Sequence, residues 1–368
     1  MSLIQWLKKQ LEYPKFYWAA RDGSRAMAGV GIKHESSSPI EGSFGLLRFD
    51  NQKPSSKLWE PFGQSRFVVP QKMEVTHHLS DFNRHPGLAC PIGYDPGSSN
   101  ITSKTGPRLG GRGDNSTWHN LVTQVLQEIR SGTFKKVVLA KQFTYKLHEE
   151  TSALDLLERL QASIPNAYYF LFAPNPNLAF LGASPEKLYK RSGKKIFSEA
   201  QAGTKPVQAN PKELLENPKE ILEHQIVIEH ILSCLKSLCI DYGIKTPTQI
   251  VKLPQVQHLR TSLAGILKTG QTDKNILATL HPTAAIGGLP SYQALRFIRN
   301  SERLDRGFYA GAIGYIEHDE AEFAVAIRSA VMQDSFLHLF GGAGVVEGSN
   351  PEQELQEIEN KIAFWSQI

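Results

Sequence analysis

Apolar residues recur every three or four positions in several segments, and this spacing is typical of one buried face of an α-helix. In the first of them, Leu121, Val125 and Ile129 lie at helical spacing. A short amphipathic helix is also predicted at the N-terminus. The predicted helices are 2–11, 118–131, 153–164, 218–238, 292–300 and 351–367.

Other runs are rich in β-branched and aromatic residues and are bounded by turn formers, which predicts strands. Adjacent strands with helices inserted between them favour an α+β fold with antiparallel sheets over a doubly wound parallel sheet. The predicted strands are 43–49, 65–69, 136–145, 167–172, 178–182, 188–190, 195–197, 250–253, 256–266, 307–317, 322–332 and 336–342.

The first part of the chain differs from the rest in composition. Residues 1–115 are irregular and rich in Gly, Pro and Ser, and 91–115 contain so many turn formers that an exposed loop is expected. We therefore divide the chain into an N-terminal lobe (1–115) and a second region (116–368), together forming one two-lobed domain. The length of 368 residues is sufficient for a large core.

Charge and cysteine content exclude several function classes. The formal net charge is only +5, and no block of five like charges occurs, so neither nucleic acid nor a membrane surface is an expected partner. No apolar run approaches the roughly 20 residues that span a bilayer, and no signal peptide is evident. Three cysteines at 90, 234 and 239 form neither a disulfide framework nor a metal motif. We expect a cytoplasmic monomer.

Two predicted helices begin in the same way. Each starts with an Asn-Pro pair (217–218 and 350–351), in which Asn is a good N-cap and Pro fits the first helical position. Two glutamates three residues apart then share one helix face. These carboxylates could complement the helix dipole in water, or they could meet around Mg²⁺, which prefers oxygen ligands. The two pairs are Glu220 with Glu223 and Glu354 with Glu357.

Several further residues have both a structural and a functional interpretation. Lys361 follows Glu357 by one helical turn, so it could form a simple ion pair or hold an anionic substrate. Arg328 interrupts the apolar run FAVAIRSA and needs a partner, either a protein carboxylate or a bound one. The glycines in 341–344 would let a ligand approach the backbone. Taken singly, Lys136 and Glu186 are ordinary strand-end residues.

Taken together, these segments resemble the chorismate-utilising enzymes, a family that comprises isochorismate, salicylate, anthranilate and aminodeoxychorismate synthases. The resemblance covers roughly residues 118–365, with nine segments in the family's order. The matching segments are KVVLAK (136–141), GASPEKL (182–188), EAQAGT (199–204), NPKEILEHQIV (217–227), VQHLRT (256–261), LHPTAAIGGLP (280–290), ERLDRGFYAGAIGY (302–315), FAVAIRSA (323–330) and GGAGVVEGSNPEQELQEIENK (341–361).

The resemblance implies large antiparallel sheets packed face to face, helices outside, and an active site in the cleft between them. It implies that Lys136 is the general base on water and Glu186 the general acid on the departing hydroxyl. Glu223 and Glu357 would bind Mg²⁺ directly, with Glu220 and Glu354 acting through water. The residues expected around chorismate are Gly203, Thr204, His258, Ala285, Tyr309, Arg328, Gly342, Gly344 and Lys361.

The implied reaction adds water at C2 and expels the C4 hydroxyl. Lys136 must then be neutral, whereas Glu186 must keep its proton, which requires a raised pKa. The segment 281–288 (HPTAAIGG) resembles the isochorismate synthases, with Ala285 where other branches carry threonine. A salicylate synthase, an amine-forming relative and a non-catalytic binding protein are alternatives. The product could serve menaquinone or siderophore synthesis.

Gln201 departs from the family pattern, since leucine is usual there, and this puts fine specificity in doubt.

Overall fold

The computed structural model of the chain describes residues 1–52, 56–77, 112–147, 151–253 and 255–368. Two short 3₁₀ turns, Glu60–Phe62 and Ala363–Gln367, accompany the α-helices. The helices in these ranges are α1 (Leu3–Lys9), α2 (Arg112–Arg130), α3 (Ala153–Ser163), α4 (Pro211–Glu216), α5 (Pro218–Leu238), α6 (Asp273–Leu280), α7 (Ser291–Ser301) and α8 (Pro351–Ile362).

The strands form two nine-stranded sheets within the described ranges, and their neighbours pair antiparallel. The first nine strands are β1 (Lys15–Ala19), β2 (Arg25–Val30), β3 (His34–Ser36), β4 (Ser43–Leu47), β5 (Arg66–Val69), β6 (Lys72–His77), β7 (Lys136–Lys146), β8 (Tyr168–Asn175) and β9 (Leu178–Ser184). The others are β10 (Lys187–Ser192), β11 (Lys195–Pro206), β12 (Cys239–Lys252), β13 (Val256–Leu267), β14 (Gly288–Leu289), β15 (Ala312–Ile316), β16 (Glu320–Val325), β17 (Ser329–Gln333) and β18 (Phe336–Val345).

The first sheet has the order β14-β7-β18-β17-β9-β8-β1-β2-β6, and the second has the order β12-β13-β11-β10-β16-β15-β4-β5-β3. Strands from residues 15–77 thus extend both sheets beyond the strands of the later region. The antiparallel α+β class predicted from the sequence is confirmed.

The two sheets pack face to face through large aromatic side chains. Phe16 of the first sheet stacks on Phe44 of the second at 5.5 Å between ring centroids, and Trp18 meets Tyr315 edge-on at 4.8 Å. Since strand side chains alternate between faces, Tyr17 points instead to the outer face of the first sheet. There it joins the apolar side chains of α1, α3 and the C-terminal turn.

Helices α5 and α8 begin where the sequence predicts. Asn217 accepts hydrogen bonds from the amides of Lys219 and Glu220, and Asn350 accepts one from the amide of Gln353. Helix α5 packs on β11, β12 and β13 of the second sheet, whereas α8 packs on β18 of the first. The two acidic helix starts therefore approach one another from different sheets.

The predicted strand 322–332 is wrong as a single element. The chain leaves the second sheet after β16 and enters the first at β17, and Arg328 between them has a φ of 54°. A continuous apolar run reports burial, but it does not show that two halves of the run lie in different sheets. Arg328 consequently lies at a crossover and not inside a strand.

Other boundaries also differ from the prediction. The strand expected at 307–317 begins at Ala312, and the one expected at 250–253 is the end of β12, which starts at Cys239. The glycines of 341–344 lie within β18 and not after it. The sequence prediction missed α4, α6 and the strands β1, β2, β3, β6 and β14.

Part of the expected exposed loop 91–115 lies outside the described residues, as does Cys90. Its last residues, from Arg112, already belong to α2. Cys234 and Cys239 are free and buried, as the sequence predicted. Within the described ranges, we find no helix that is both long enough and apolar enough to cross a membrane.

Candidate functional site

One cavity between the sheets brings together most of the residues predicted for the site. Its walls come from β7, β11, β13 and β18, from helices α5 and α8, and from the connections 185–186, 285–286, 306–310 and 327–328. The predicted site residues that line it are Glu186, Thr204, Glu223, His258, Ala285, Tyr309, Arg328, Gly342, Gly344 and Lys361.

Lys136 lies immediately behind this lining. Its side chain is fully buried at the start of β7, and its Nζ lies 3.0 Å from Oε1 of Glu223 on α5. Gly344 on β18 lies against this pair and lines the cavity together with Glu223. A Cβ atom at Gly344 would overlap Oε1 of Glu223 and lie 2.8 Å from Cε of Lys136. Glycine is therefore required here for a helix carboxylate to reach across β18 to the lysine.

Glu186 follows the end of β9 and is held by its backbone. Its amide donates to Oγ of Ser184 at 3.2 Å, and that hydroxyl donates to the carbonyl of Val325 at 2.6 Å. Burial raises the pKa of the Glu186 carboxyl to about 8, although the charge of Lys136 opposes the shift. The carboxyl is therefore largely protonated at neutral pH, as a general acid must be.

The four glutamates of the acidic helix starts do converge. Glu220, Glu223 and Glu354 are only 3%, 6% and 1% exposed, which excludes the interpretation that they merely face water at a helix terminus. Burial raises the pKa of Glu220 and brings that of Glu354 to about 7, with the charge of Glu357 adding to both shifts. The carboxylates are thus close enough to repel one another.

Lys219 partly neutralises this cluster, and the sequence prediction missed it. Its Nζ lies 2.8 Å from Oε1 of Glu354 and 3.4 Å from Oε1 of Glu220. The backbone amide of Thr204 donates to the other oxygen of Glu220 at 2.7 Å. The signal was present in the sequence, since Lys219 stands next to Glu220 in the first turn of α5.

Buried oxygens of the same cluster are suited to a divalent cation. Oε2 of Glu223 and Oε2 of Glu354 have no hydrogen-bond partner among the described residues. Oxygen ligands suit Mg²⁺, which usually retains several waters and takes one or two carboxylates directly. No three acidic, His or Cys side chains in the described ranges are close enough to hold one ion, so a bound Mg²⁺ would take most of its ligands from water. The residues present fit a hydrated Mg²⁺.

Two cations stand at another wall of the cavity. Arg328 donates through Nη1 to the carbonyl of Lys361, while its buried Nη2 has no partner in the described part of the chain. Burial lowers the pKa of Arg328 to about 10, so the guanidinium remains charged at neutral pH. Lys361 Nζ contacts Oε1 of Glu357 at 2.6 Å and the carbonyl of Gly342 at 3.0 Å. The open donor of Arg328 is suited to a carboxylate.

His258 is neutral in this environment. Its Nδ1 lies 3.2 Å from the carbonyl of Gly203 and 3.1 Å from Oγ1 of Thr204, and burial lowers its pKa far below the usual value. Gly203 has a φ of 75°, a conformation that favours glycine.

Tyr309 stacks on Phe340 at 5.3 Å between ring centroids and forms a flat aromatic wall of the cavity.

The segment 281–288 is fixed by a buried ion pair that the sequence analysis did not identify. Arg306 donates to the carbonyl of Ile286 at 2.9 Å, to that of Val138 at 2.7 Å, and to Glu302 at 2.7 Å. It thereby ties the segment that carries Ala285 to β7. The spacing of four residues between Glu302 and Arg306 was the available signal.

Gln201, the departure noted in the sequence, lines the cavity beside Glu186. Its Oε1 accepts two hydrogen bonds from Arg260, at 3.1 Å from Nε and 3.0 Å from Nη2. A polar side chain thus occupies a position where leucine was expected, and it is anchored by a neighbouring cation.

A sequence model of the family described as "Chorismate binding enzyme" matches residues 99–367. Isochorismate synthase MenF of Pasteurella multocida is 34% identical over 386 residues, which cover 98% of this chain and 88% of that protein. Isochorismate synthase MenF of Escherichia coli is 30% identical over 389 residues, which cover 98% of this chain and 89% of that protein.

Two solved structures are similar along nearly the whole chain. The menaquinone-specific isochorismate synthase MenF from Escherichia coli superposes with a TM-score of 0.80 at 28% identity, covering 99% of this chain and 90% of that one. A structure from Bacillus anthracis, provisionally described as the 2,3-dihydroxybenzoate-specific isochorismate synthase DhbC, gives a TM-score of 0.81 at 24% identity. The superposition covers 100% of this chain and 99% of that one. The second similarity speaks for the fold alone.

Proposed function

Because this chain belongs to the family of chorismate binding enzymes, we propose that it converts chorismate to isochorismate. The observation that carries the proposal is the position of Glu186 in the cavity lining and of Lys136 immediately behind that lining, close enough for their charges to interact. Glu186 retains its proton, and Lys136 lies beside Glu223 at the cavity wall. The nearly full-length similarity to isochorismate synthases supports the same reaction.

In the proposed reaction, a water molecule attacks C2 and gives one proton to Lys136. The ring double bonds shift, the bond between C4 and its oxygen breaks, and Glu186 donates its proton to the departing hydroxyl. The released molecule is water, so the net change is an isomerisation. Both transfers need groups in the right protonation state, and the pKa of Glu186 at about 8 meets this condition for the acid.

We propose that Glu223 and Glu357 hold Mg²⁺ directly and that Glu220 and Glu354 contact it through water. When bound, this ion supplies positive charge that neutralises a substrate carboxylate. Arg328 provides an open donor for the second carboxylate of chorismate, because its Nη2 has no partner in the described ranges. Lys361 stands beside it at the cavity wall.

The small side chain of Ala285 sets the choice of nucleophile in this proposal. It lines the cavity with no polar group that could orient an amine, so water remains the attacking molecule. We assign the product to menaquinone synthesis, since the similar Escherichia coli structure is described as menaquinone-specific.

Product analysis tests the function. The purified full-length protein is incubated with chorismate and Mg²⁺, and products are separated by chromatography. Isochorismate alone is the expected result. Salicylate with pyruvate would indicate a salicylate synthase, and a product formed only with added ammonia would indicate an amine-forming enzyme. Binding of chorismate without turnover would overturn the enzymatic proposal.

A further inference from the structure

We propose that Arg21, which precedes β2, is a positioning residue for Glu186. Together with Glu199 of β11, it would fix the turn that presents the acid to the cavity. The inference rests on the proposed function, in which Glu186 is the proton donor. It adds a residue from the turn between β1 and β2 to a site built otherwise by residues after 135.

Arg21 binds the turn and Glu199 at the same time. Its Nη1 donates to the carbonyl of Pro185 at 2.7 Å and to Oε2 of Glu199 at 2.8 Å. Its Nη2 donates to Oε1 of Glu199 at 2.6 Å. The guanidinium also lies over the ring of Tyr168, 5.4 Å from the centroid. This bidentate contact fixes the orientation of the guanidinium group, which the single ammonium group of lysine could not do.

The backbone at Glu186 is what aims its carboxyl. Pro185 directly precedes Glu186, and the carbonyl that Arg21 holds belongs to the peptide that joins them. On the other side, the amide of Glu186 is bound to Ser184. No hydrogen bond to the Glu186 carboxyl itself occurs among the residues that the structure describes. The carbonyl of Glu186 also accepts from the amide of Val325 at 3.1 Å. The direction of the acid therefore depends on this turn, and Arg21 is its anchor from the N-terminal part of the chain.

Glu199 contributes charge as well as a hydrogen-bond anchor. It is only 8% exposed, and Arg260 and Lys187 approach it at 3.6 Å and 3.7 Å. The charged groups that act on Glu186 are Lys136 of β7, Glu199 of β11, Lys361 of α8 and Arg260 of β13. Among these, Glu199 alone raises the pKa of Glu186, whereas the three cations lower it.

The first test compares Arg21→Met with Arg25→Met. Arg25 is a matched control, because it also forms ion pairs, with Glu317 and Glu320, and also lies over a tyrosine ring, 4.7 Å from the centroid of Tyr315. We expect Arg21→Met to lower kcat by about 10- to 100-fold, the cost of misplacing a reacting group by roughly 1 Å, while KM changes little. Arg25→Met should leave kcat near the wild-type value.

Equal losses in kcat for the two variants, or a change in KM alone, would overturn the inference. Thermal unfolding is measured for both variants. If Arg21→Met does not fold, Arg21→Lys is tested in its place. This variant keeps the positive charge but loses the bidentate contact, so kcat should still fall. A wild-type kcat in Arg21→Lys would show that charge alone suffices and would contradict positioning.

The second test uses Glu199→Gln and the pH dependence of kcat. Glutamine still accepts from Arg21, but the negative charge that helps Glu186 retain its proton is removed. The decline of kcat at high pH should therefore move to lower pH. A purely structural role would lower kcat without moving the profile, and an unmoved profile would refute the role of Glu199.

The wild-type reaction separates this inference from the proposed function. If the wild-type protein does not form isochorismate, the proposed function fails. If it does, the kcat of Arg21→Met compared with that of Arg25→Met decides the role of Arg21.

Discussion

Nζ of Lys136 lies 3.0 Å from Oε1 of Glu223, and this pair joins the first residue of β7 to the second turn of α5. The lysine belongs to the first sheet, whereas the helix packs on the second. The contact passes over Gly344, where any larger residue would collide with both side chains. The proposed base and the proposed cation site are therefore coupled through one buried contact.

Replacing Lys136 by Ala should remove the base and leave Glu223 buried without this partner. We expect the rate of isochorismate formation to fall by roughly 10²- to 10⁴-fold. The free energy of unfolding should fall by about 3–5 kcal/mol, as for other broken buried pairs. Enzyme assays and urea unfolding measure the two effects.

The double variant Lys136→Ala/Glu223→Gln separates the loss of activity from the loss of stability, because the change at Glu223 removes the uncompensated buried charge. Stability should partly recover while activity stays low. Undiminished turnover in Lys136→Ala would contradict its assignment as the base.

The pH dependence of the reaction should report Glu186. The acid form of a carboxyl predominates below its pKa, and burial raises this pKa to about 8, so kcat should decline as pH rises through about 8. Glu186→Gln should lower kcat by roughly 10²- to 10⁴-fold. Its Kd for chorismate, measured by calorimetry, should stay near the wild-type value. An intact kcat in this variant would exclude Glu186 as the proton donor.

Removal of divalent cations should abolish activity, and added Mg²⁺ should restore it. In Glu357→Gln, the Mg²⁺ concentration for half-maximal activity should rise at least about tenfold, since a direct ligand is lost. Glu359→Gln is the matched control, because that exposed residue lies two positions further on the same helix. Titration calorimetry with Mg²⁺ alone gives a second readout. Activity that survives a chelator would disprove the cation site.

Gly344→Ala should disrupt the coupling between the proposed base and the cation site. The added methyl group would overlap the carboxylate of Glu223, so both activity and Mg²⁺ affinity should fall. Gly243→Ala on β12 is the control, since a Cβ atom there meets nothing within 4 Å. Equal behaviour of the two variants in the Mg²⁺ titration would show that the close approach at Gly344 has no functional importance.

Local sequence determined the elements that carry the acidic residues. The Asn-Pro starts and the spacing of three residues between glutamates fixed where α5 and α8 begin and which carboxylates share a face. The run KVVLAK likewise predicted β7 from its first residue. These features depend on capping and periodicity, which neighbouring residues set by themselves.

The tertiary structure alone decided which of these residues meet. The crossover at Arg328, the approach of Glu223 to Lys136 over Gly344, and the contact of Arg21 with Pro185 join parts of the chain that are far apart. Periodicity shows that a face is buried, but it does not name the surface that covers it. Partners 164 residues apart, such as Arg21 and Pro185, are brought together only when β1 and β9 pair with opposite edges of β8 in the first sheet.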